Sequence, residues 1–176
     1  MDELSESSED ISDLSGYLFM RGKRAPKRKI KPDPKYNRTD IAKFINYIMR
    51  RGKKTIAQKI VYGAFDIIKE RTKKDGVQIF QQAVKKVGPT VEVRGRRIGG
   101  ANYQIPFPVR DQRRFTLACR WMIEAAKNTK GKPMKEKLAE ILIQSAKGEG
   151  PAVKKRQDVQ KMAEANRAFA HFARYG

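Results

Sequence analysis

The chain has 176 residues, enough for one ordinary domain with its own core and too few for two of typical size. Its 40 Lys and Arg against 19 Asp and Glu give a formal net charge of +21; such a surface calls for a polyanion, and nucleic acid phosphate is the strongest case because each neutralised phosphate releases condensed counterions. A membrane is the weaker partner, since no run of about 18 apolar residues is present and the basic residues are spread along the chain instead of lining one amphipathic stripe.

Residues 1–19, MDELSESSEDISDLSGYLF, carry Asp2, Glu3, Glu6, Glu9, Asp10 and Asp13 and no base, so −6 faces +27 in the remainder. Low hydrophobicity, many serines and one charge sign predict a disordered acidic leader. Three roles stay open for it: a solvated tail, a phosphate mimic folding back on the basic surface, or sequence ahead of a translation start at Met20. It lacks the basic start and apolar run of a signal peptide and the Arg-rich, acid-poor make-up of a transit peptide. From Met20 the composition reverses. In MRGKRAPKRKIKPDPK, Arg21, Lys23, Arg24, Lys27, Arg28, Lys29 and Lys31 are interrupted by Pro26, Pro32 and Pro34. Those prolines exclude helix and predict an extended basic arm over residues 20–38, of the sort that orders along a nucleic acid backbone.

Residues 39–176 read as a mainly α domain. Ile41, Phe44, Ile45 and Ile48 share a helical face, with Thr39 and Asp40 as candidate caps and Gly52 as a stop. Ala57, Ile60, Val61, Ala64, Phe65 and Ile68 repeat the pattern, with Thr55 and Gln58 spaced as a capping box. A short helix with Val77, Phe80, Val84 and Val87 ends at Gly88 and Pro89. A fourth carries Phe115, Ala118, Cys119, Met122 and Ala126; a fifth carries Met134, Leu138, Ile141 and Leu142, with Pro133 as its first residue. Beyond Gly148, Gly150 and Pro151 a last helix carries Val159, Met162, Ala163, Asn166, Phe169 and Phe172. Each stripe is the apolar face of a core helix. Cys119 reads as part of that core and the lone His171 as packing, and together they are too few for a Cys and His zinc site.

One stretch changes period. In TVEVRGRRIGGANYQIPFPV the alternation is two, through Val91 and Val93 and then Tyr103, Ile105, Phe107 and Val109, with turn residues at 98–101. A two-stranded hairpin over about 90–109 follows. Pro106 and Pro108 lie two apart, so both missing N–H donors fall on one edge, which cannot pair fully with a third strand. An isolated ribbon is marginal in water, and RNA bound at Arg94, Arg96 and Arg97 is one way to hold it.

The predicted architecture is therefore a six-helix, bundle-like body with one protruding two-stranded β-hairpin. Basic residues gather where elements meet: the arm, the turn at 50–54, the hairpin, Arg110 with Arg113 and Arg114, Lys130 with Lys132, and Lys154 with Lys155 and Arg156. Arginine's planar fork suits phosphate oxygens and stacks on bases, and Tyr103 is either a stacking platform or packing. No P-loop, G-x-S-x-G, H-E-x-x-H or apolar carboxylate pair is present, so the chain reads as a binder and not an enzyme. Glu136, Glu140, Asp158 and Glu164 sit among lysines as ordinary surface pairing. A helix-turn-helix DNA regulator around Gly52 is the rival reading, although its charge belongs on one recognition face. An RNA-modifying enzyme is the weaker third, for want of a catalytic constellation.

Five segments stand in one order: PDPKYN at 32–37, RRGKKT at 50–55, GPTVEVRGRRIGGANYQIPFPVR at 88–110, RWMIEAA at 120–126 and VKKRQDVQKMAEANRAFAHF at 153–172. Through them the chain, from about Met20 to Tyr175, resembles the bacterial S7 family, the seventh protein of the small ribosomal subunit. The leader departs from that pattern. The resemblance implies a six-helix body with a hairpin, bound to the 3′ major domain of 16S ribosomal RNA. It implies a role in nucleating assembly of the subunit head, at the exit site, in a cytoplasmic ribosome of bacterial or organellar type. By position it implies ribosomal RNA contacts at Arg21, Lys23, Arg24, Lys27, Arg28, Lys29, Lys31, Lys53, Lys54, Arg94, Arg96, Arg97, Arg110, Arg113 and Arg114. It places Arg97, Gly99, Gly100, Tyr103, Lys154, Lys155 and Arg156 nearest the exit-site tRNA and mRNA. The ninth, eleventh and thirteenth small-subunit proteins are the implied neighbours, some relatives repress their own operon, and no cofactor or metal is implied.

Overall fold

Apolar residues at three- and four-residue spacing give each helix one face to bury, and the helices assemble around those faces. A computed structural model describes residues 30–174. In chain order it has α1 (Thr39–Ile48), α2 (Lys54–Thr72), α3 (Gly76–Val87), β1 (Val91–Ile98), β2 (Ala101–Pro108), α4 (Asp111–Asn128), α5 (Met134–Lys147), α6 (Pro151–Ala165) and a 3-10 helix, Arg167–Arg174. Central α5 packs against α2, α3 and α4 and buries Leu138, Ala139 and Leu142 completely. Phe44, Phe65 and Phe80 fill the adjoining space, the Phe44 and Phe80 rings 4.8 Å apart between centroids. The mainly α body with a single hairpin is the predicted class.

Helix starts differ from the sequence reading. Arg38 occupies the cap position of α1, and Asp40 sits inside its first turn, accepting from the Ile41 N–H at 2.9 Å and from Arg38. The Thr55 and Gln58 capping box does not form: α2 starts two residues earlier than that pattern needs, with Lys53 at the cap and no side-chain cap bond. The α1–α2 turn sets this start, since Arg51 and Gly52 both adopt positive φ (50° and 72°) and deliver the chain to Lys54. The true side-chain cap is Asp75 on α3, accepting from the Val77 N–H at 3.2 Å. Pro133 caps α5 instead of opening it.

Residues 33–38, predicted as the end of an extended arm, fold into a turn. Asn37 N–H donates to the Asp33 carbonyl at 2.8 Å. The Asp33 carboxylate, 3% exposed, accepts from the backbone of Lys35 (3.1 Å) and Tyr36 (3.2 Å) and from the Tyr62 hydroxyl (2.7 Å). Tyr36 stands edge-on to Tyr62 and Phe65, so the turn is held to α2.

The hairpin pairs Ile98 with Ala101 and runs back to Val91 with Pro108. Gly99 and Gly100 form the two-residue loop at φ 57° and 88°, the double positive φ that a tight hairpin turn requires. Val109 N–H donates to the Thr90 carbonyl at 2.9 Å. Bonded and non-bonded pairs alternate, so Pro106 and Pro108 stand opposite Val93 and Val91 at non-bonded sites, their missing donors on the outer edge as predicted. The register also puts Val91 and Val93 on one face and Tyr103, Ile105 and Phe107 on the other.

The predicted last helix is broken. Asn166 donates its side-chain amide to the Met162 carbonyl at 2.8 Å, offering the backbone an alternative to the helical ladder, and the chain rewinds as the 3-10 helix. Three residues per turn align positions three apart, which brings Phe169 and Phe172 together onto Tyr103 with centroids 5.2 and 5.5 Å away. The ribbon is thus braced by protein: α6 packs on β1 and the 3-10 helix on β2.

Candidate nucleic-acid interface

Successive side chains of a strand alternate between faces, so Glu92, Arg94 and Arg96 share one face of β1. Across the ladder that face continues through Phe107, Ile105 and Tyr103. Glu92 is 7% exposed and is the one acid between Asp75 and Asp111. Its Oε1 accepts from Arg94 Nε at 2.7 Å and from Arg94 Nη2, and its Oε2 accepts from Arg113 Nε at 3.0 Å. Burial pushes this carboxyl's pKa up, but the hydrogen bonds from Arg94 and then Arg113 outweigh it and hold the group below its ordinary 4.5. Arg94 and Arg96 also lie over the Phe107 ring, each guanidinium 5.3 Å from the centroid.

Glu92, Arg94 and Phe107 line a cleft of about 480 Å³ with Pro108, Val109, Arg110 and Arg113. Arg94 of the hairpin cluster therefore meets Arg110 and Arg113 of the next predicted basic cluster in one place. The Arg94 and Arg113 side chains remain 58% and 45% exposed while tied to Glu92. A guanidinium has five donors, so binding a carboxylate at one edge leaves geometry for a phosphate at another. Arg114, adjacent in sequence, is engaged differently: Nε donates to the Gly88 carbonyl (3.1 Å) and Nη2 to the Lys85 carbonyl (3.3 Å), finishing α3.

At the hairpin tip Arg96, Arg97, Ile98 and Phe172 surround a second hollow, and Gly99 and Gly100 are exposed. Tyr103 is half-buried against Phe169 and Phe172, so its ring serves as packing between hairpin and 3-10 helix. Lys31, Lys53 and Lys54 are exposed. Lys53, with Arg50 and Lys127, rims an apolar groove floored by Ile48, Ile56, Ile60 and Ile123. Lys154 and Lys155 are exposed near the start of α6 and Arg156 is half-buried. Neither α2 nor α6 has an acid in its first turn, so cations and the positive helix end add there, an arrangement suited to anions. Lys130 and Lys132 lie in the α4–α5 connection, and Lys132 pairs with Glu140, which also meets Arg71 at 3.4 Å. Arg21, Lys23, Arg24, Lys27, Arg28 and Lys29 lie outside the described residues.

Cys119 is wholly buried on α4, and burial pushes its thiol pKa far up. His171 is exposed on the 3-10 helix, Nδ1 2.8 Å from the Ala168 carbonyl and its ring 4.0 Å from Phe172. Among the described residues no helix is long and apolar enough to cross a membrane.

The family model described as ribosomal protein S7p/S5e matches residues 20–167, a span holding the basic segment, all six α-helices and the hairpin. The chain belongs to this family. Similar relatives include the small ribosomal subunit protein uS7 of Thermotoga maritima, 59% identical over 153 residues that cover 87% of this chain and 99% of the relative. The uS7 proteins of Nitrosospira multiformis (53% over 152 residues; 86% and 97%) and Francisella tularensis (54% over 153 residues; 86% and 98%) are comparable. S7p/S5e proteins are RNA-binding structural components of ribosomes and not enzymes, in keeping with a site of arginines and an aromatic ring instead of a reacting constellation.

Sequence reasoning missed Glu92. Its signal was present: a lone acid two residues from Arg94, on the same strand face, in a strand whose other charged residues are all arginines.

Proposed function

We propose that this S7p/S5e member is a structural protein of the small ribosomal subunit that binds the 3′ major domain of 16S ribosomal RNA and nucleates the subunit head. The observation that carries the reading is the cleft at the hairpin root, where Arg94, Arg110 and Arg113 converge beside Phe107. It combines forked phosphate donors with a flat apolar face, which suits folded or single-stranded RNA better than a uniform duplex backbone. The further basic sites, Lys31, Lys53, Lys54, Arg96, Arg97 and Arg114, extend the RNA-binding surface, with residues 21–29 as an arm. The hairpin tip and Lys154, Lys155 and Arg156 are assigned to exit-site tRNA and mRNA, and the ninth, eleventh and thirteenth small-subunit proteins are the neighbours. In this reading the protein works in the cytoplasmic ribosome and takes no cofactor.

The test is binding of the full chain, and of a form lacking residues 1–19, to a 3′ major domain fragment and to duplex DNA of equal length at two salt concentrations. A preference for the fragment that survives higher salt is expected. Equal affinity for both, lost alike with salt, refutes the specific reading and leaves a generic polycation. Tighter binding by the truncated form identifies the acidic leader as an electrostatic brake; unchanged binding removes that role.

A further inference from the structure

We propose that Glu92 is a positioning residue for RNA: its buried carboxylate fixes Arg94 and Arg113 in one cleft so that their outward edges meet successive phosphates. The inference rests on the RNA-binding reading and deepens it. An acid on a phosphate-binding face is unfavourable by its charge alone, so its presence there calls for a compensating role. The geometry supplies one. Oε1 takes Arg94 from the same strand and Oε2 takes Arg113 from α4, so one carboxylate ties the hairpin to the helical body through both of its oxygens.

Three further observations agree. Glu92 is nearly inaccessible while both arginine side chains stay about half exposed, so the carboxylate is hidden from an arriving phosphate and the guanidinium groups are not. Phe107 carries Arg94 and Arg96 on its ring, restricting them from a second side. Arg110, at the cap position of α4, lines the same cleft without a bond to Glu92 among those the structure gives, so it contributes charge that Glu92 does not orient. A long arginine side chain loses rotamer freedom when it binds. Holding it beforehand removes that cost from association and raises affinity without adding a contact.

The closing experiment measures affinity of the full chain for the 3′ major domain fragment against salt, for the natural protein, Glu92→Gln, Arg113→Lys and the double variant. Charge alone predicts that Glu92→Gln tightens binding, because it deletes a negative charge. Positioning predicts the reverse: roughly tenfold weaker binding, with a salt slope shallower by about 0.7–0.9 for each phosphate lost. Arg113→Lys keeps the charge and loses the fork, so it should weaken binding similarly, and the double variant should fall little further. Tighter or unchanged binding by Glu92→Gln, with the slope preserved, overturns the proposal while leaving RNA recognition standing. If Glu92→Gln melts before binding can be read, Arg113→Lys decides alone, and natural affinity in that variant overturns it. A natural protein that does not prefer the fragment over duplex DNA overturns both this proposal and the reading beneath it.

Discussion

Replacing Tyr62 with phenylalanine removes one oxygen and leaves the ring packing between Tyr36 and the body unchanged. What it takes away is the hydroxyl that donates to Asp33 Oδ1 at 2.7 Å. Asp33 is 3% exposed and keeps only the two backbone donors, at 3.1 and 3.2 Å, both on Oδ2. Hydrogen bonds to charged groups contribute about 1.5–3 kcal/mol, and a buried acceptor left unpaired costs a similar amount. For a protein of this size each kcal/mol moves the midpoint by roughly 2–4 °C, so Tyr62→Phe should melt roughly 3–12 °C lower at neutral pH. The pH dependence is a second readout. Burial, and after it the bond to Asp33, push the phenol from 10.0 to about 12. A raised pKa means the unfolded chain gives up this proton first, so the stabilisation is full below pH 10 and is lost as pH rises through about 12. Natural protein and variant should therefore converge between those values. Thermal melts at neutral pH and across that window, followed by circular dichroism, test both parts. Equal midpoints at neutral pH, or a gap that does not narrow at high pH, refute the clamp.

Glu92 should have the opposite pH signature: its depressed carboxyl contributes stability that is full above the ordinary 4.5 and is lost as pH falls from there through the folded value. Acid titration of hairpin amide signals checks this, and loss above 4.5 speaks against the arginine bonds. Arg114→Ala should cost about 1 kcal/mol in urea unfolding by removing donors from the end of α3, and an unchanged midpoint denies that role. Tyr103→Ala separates the hairpin from the 3-10 helix, worth about 0.5–1.5 kcal/mol per aromatic pair. Amide exchange should quicken at residues 96–103 and 167–174 but not in α5; uniform quickening contradicts the brace. Cys119 should resist alkylation at pH 8 until the chain unfolds, because burial holds the thiol protonated, and rapid labelling of native protein places it elsewhere.

Helices and hairpin were legible because burial imposes a period, and periods survive in sequence whatever the neighbours are. Ile41, Phe44, Ile45 and Ile48 need face only one direction to declare α1, and Gly99–Gly100 suffices to turn a ribbon. Caps were not legible. Thr55 and Gln58 have capping-box spacing, but the turn at Arg51 and Gly52 chooses where α2 begins, and that choice depends on how α1 and α2 pack. The break at Asn166 was hidden for a similar reason: a polar residue on an amphipathic stripe carries no mark showing that its amide will turn back to Met162. At the site, the positions of arginines were readable but not their employment. Arg113 and Arg114 are neighbours with one charge each, yet one is tied to Glu92 and the other to α3 carbonyls, because adjacent helical residues point about 100° apart.

A chain with 40 bases repels itself on folding, and where its buried and half-buried acids lie shows how that repulsion is managed. Exposed pairs such as Lys35 with Asp66, 46% and 63% exposed, add little in water. Asp33, Glu92 and Glu140 differ, since each joins segments that periodicity alone leaves independent: the entering turn to α2, the hairpin to α4, and α5 to Arg71 of α2. Placed at junctions, a carboxylate lowers repulsion where basic elements approach most closely and constrains the cations it touches. Net charge therefore gives attraction to any polyanion, while in the proposed positioning role Glu92 sets which edges of Arg94 and Arg113 that polyanion meets. In that role specificity is set by an acid as much as by the bases, and Glu92, the only one of the three set in an arginine-lined cleft beside an aromatic ring, is where the proposal is most exposed to test.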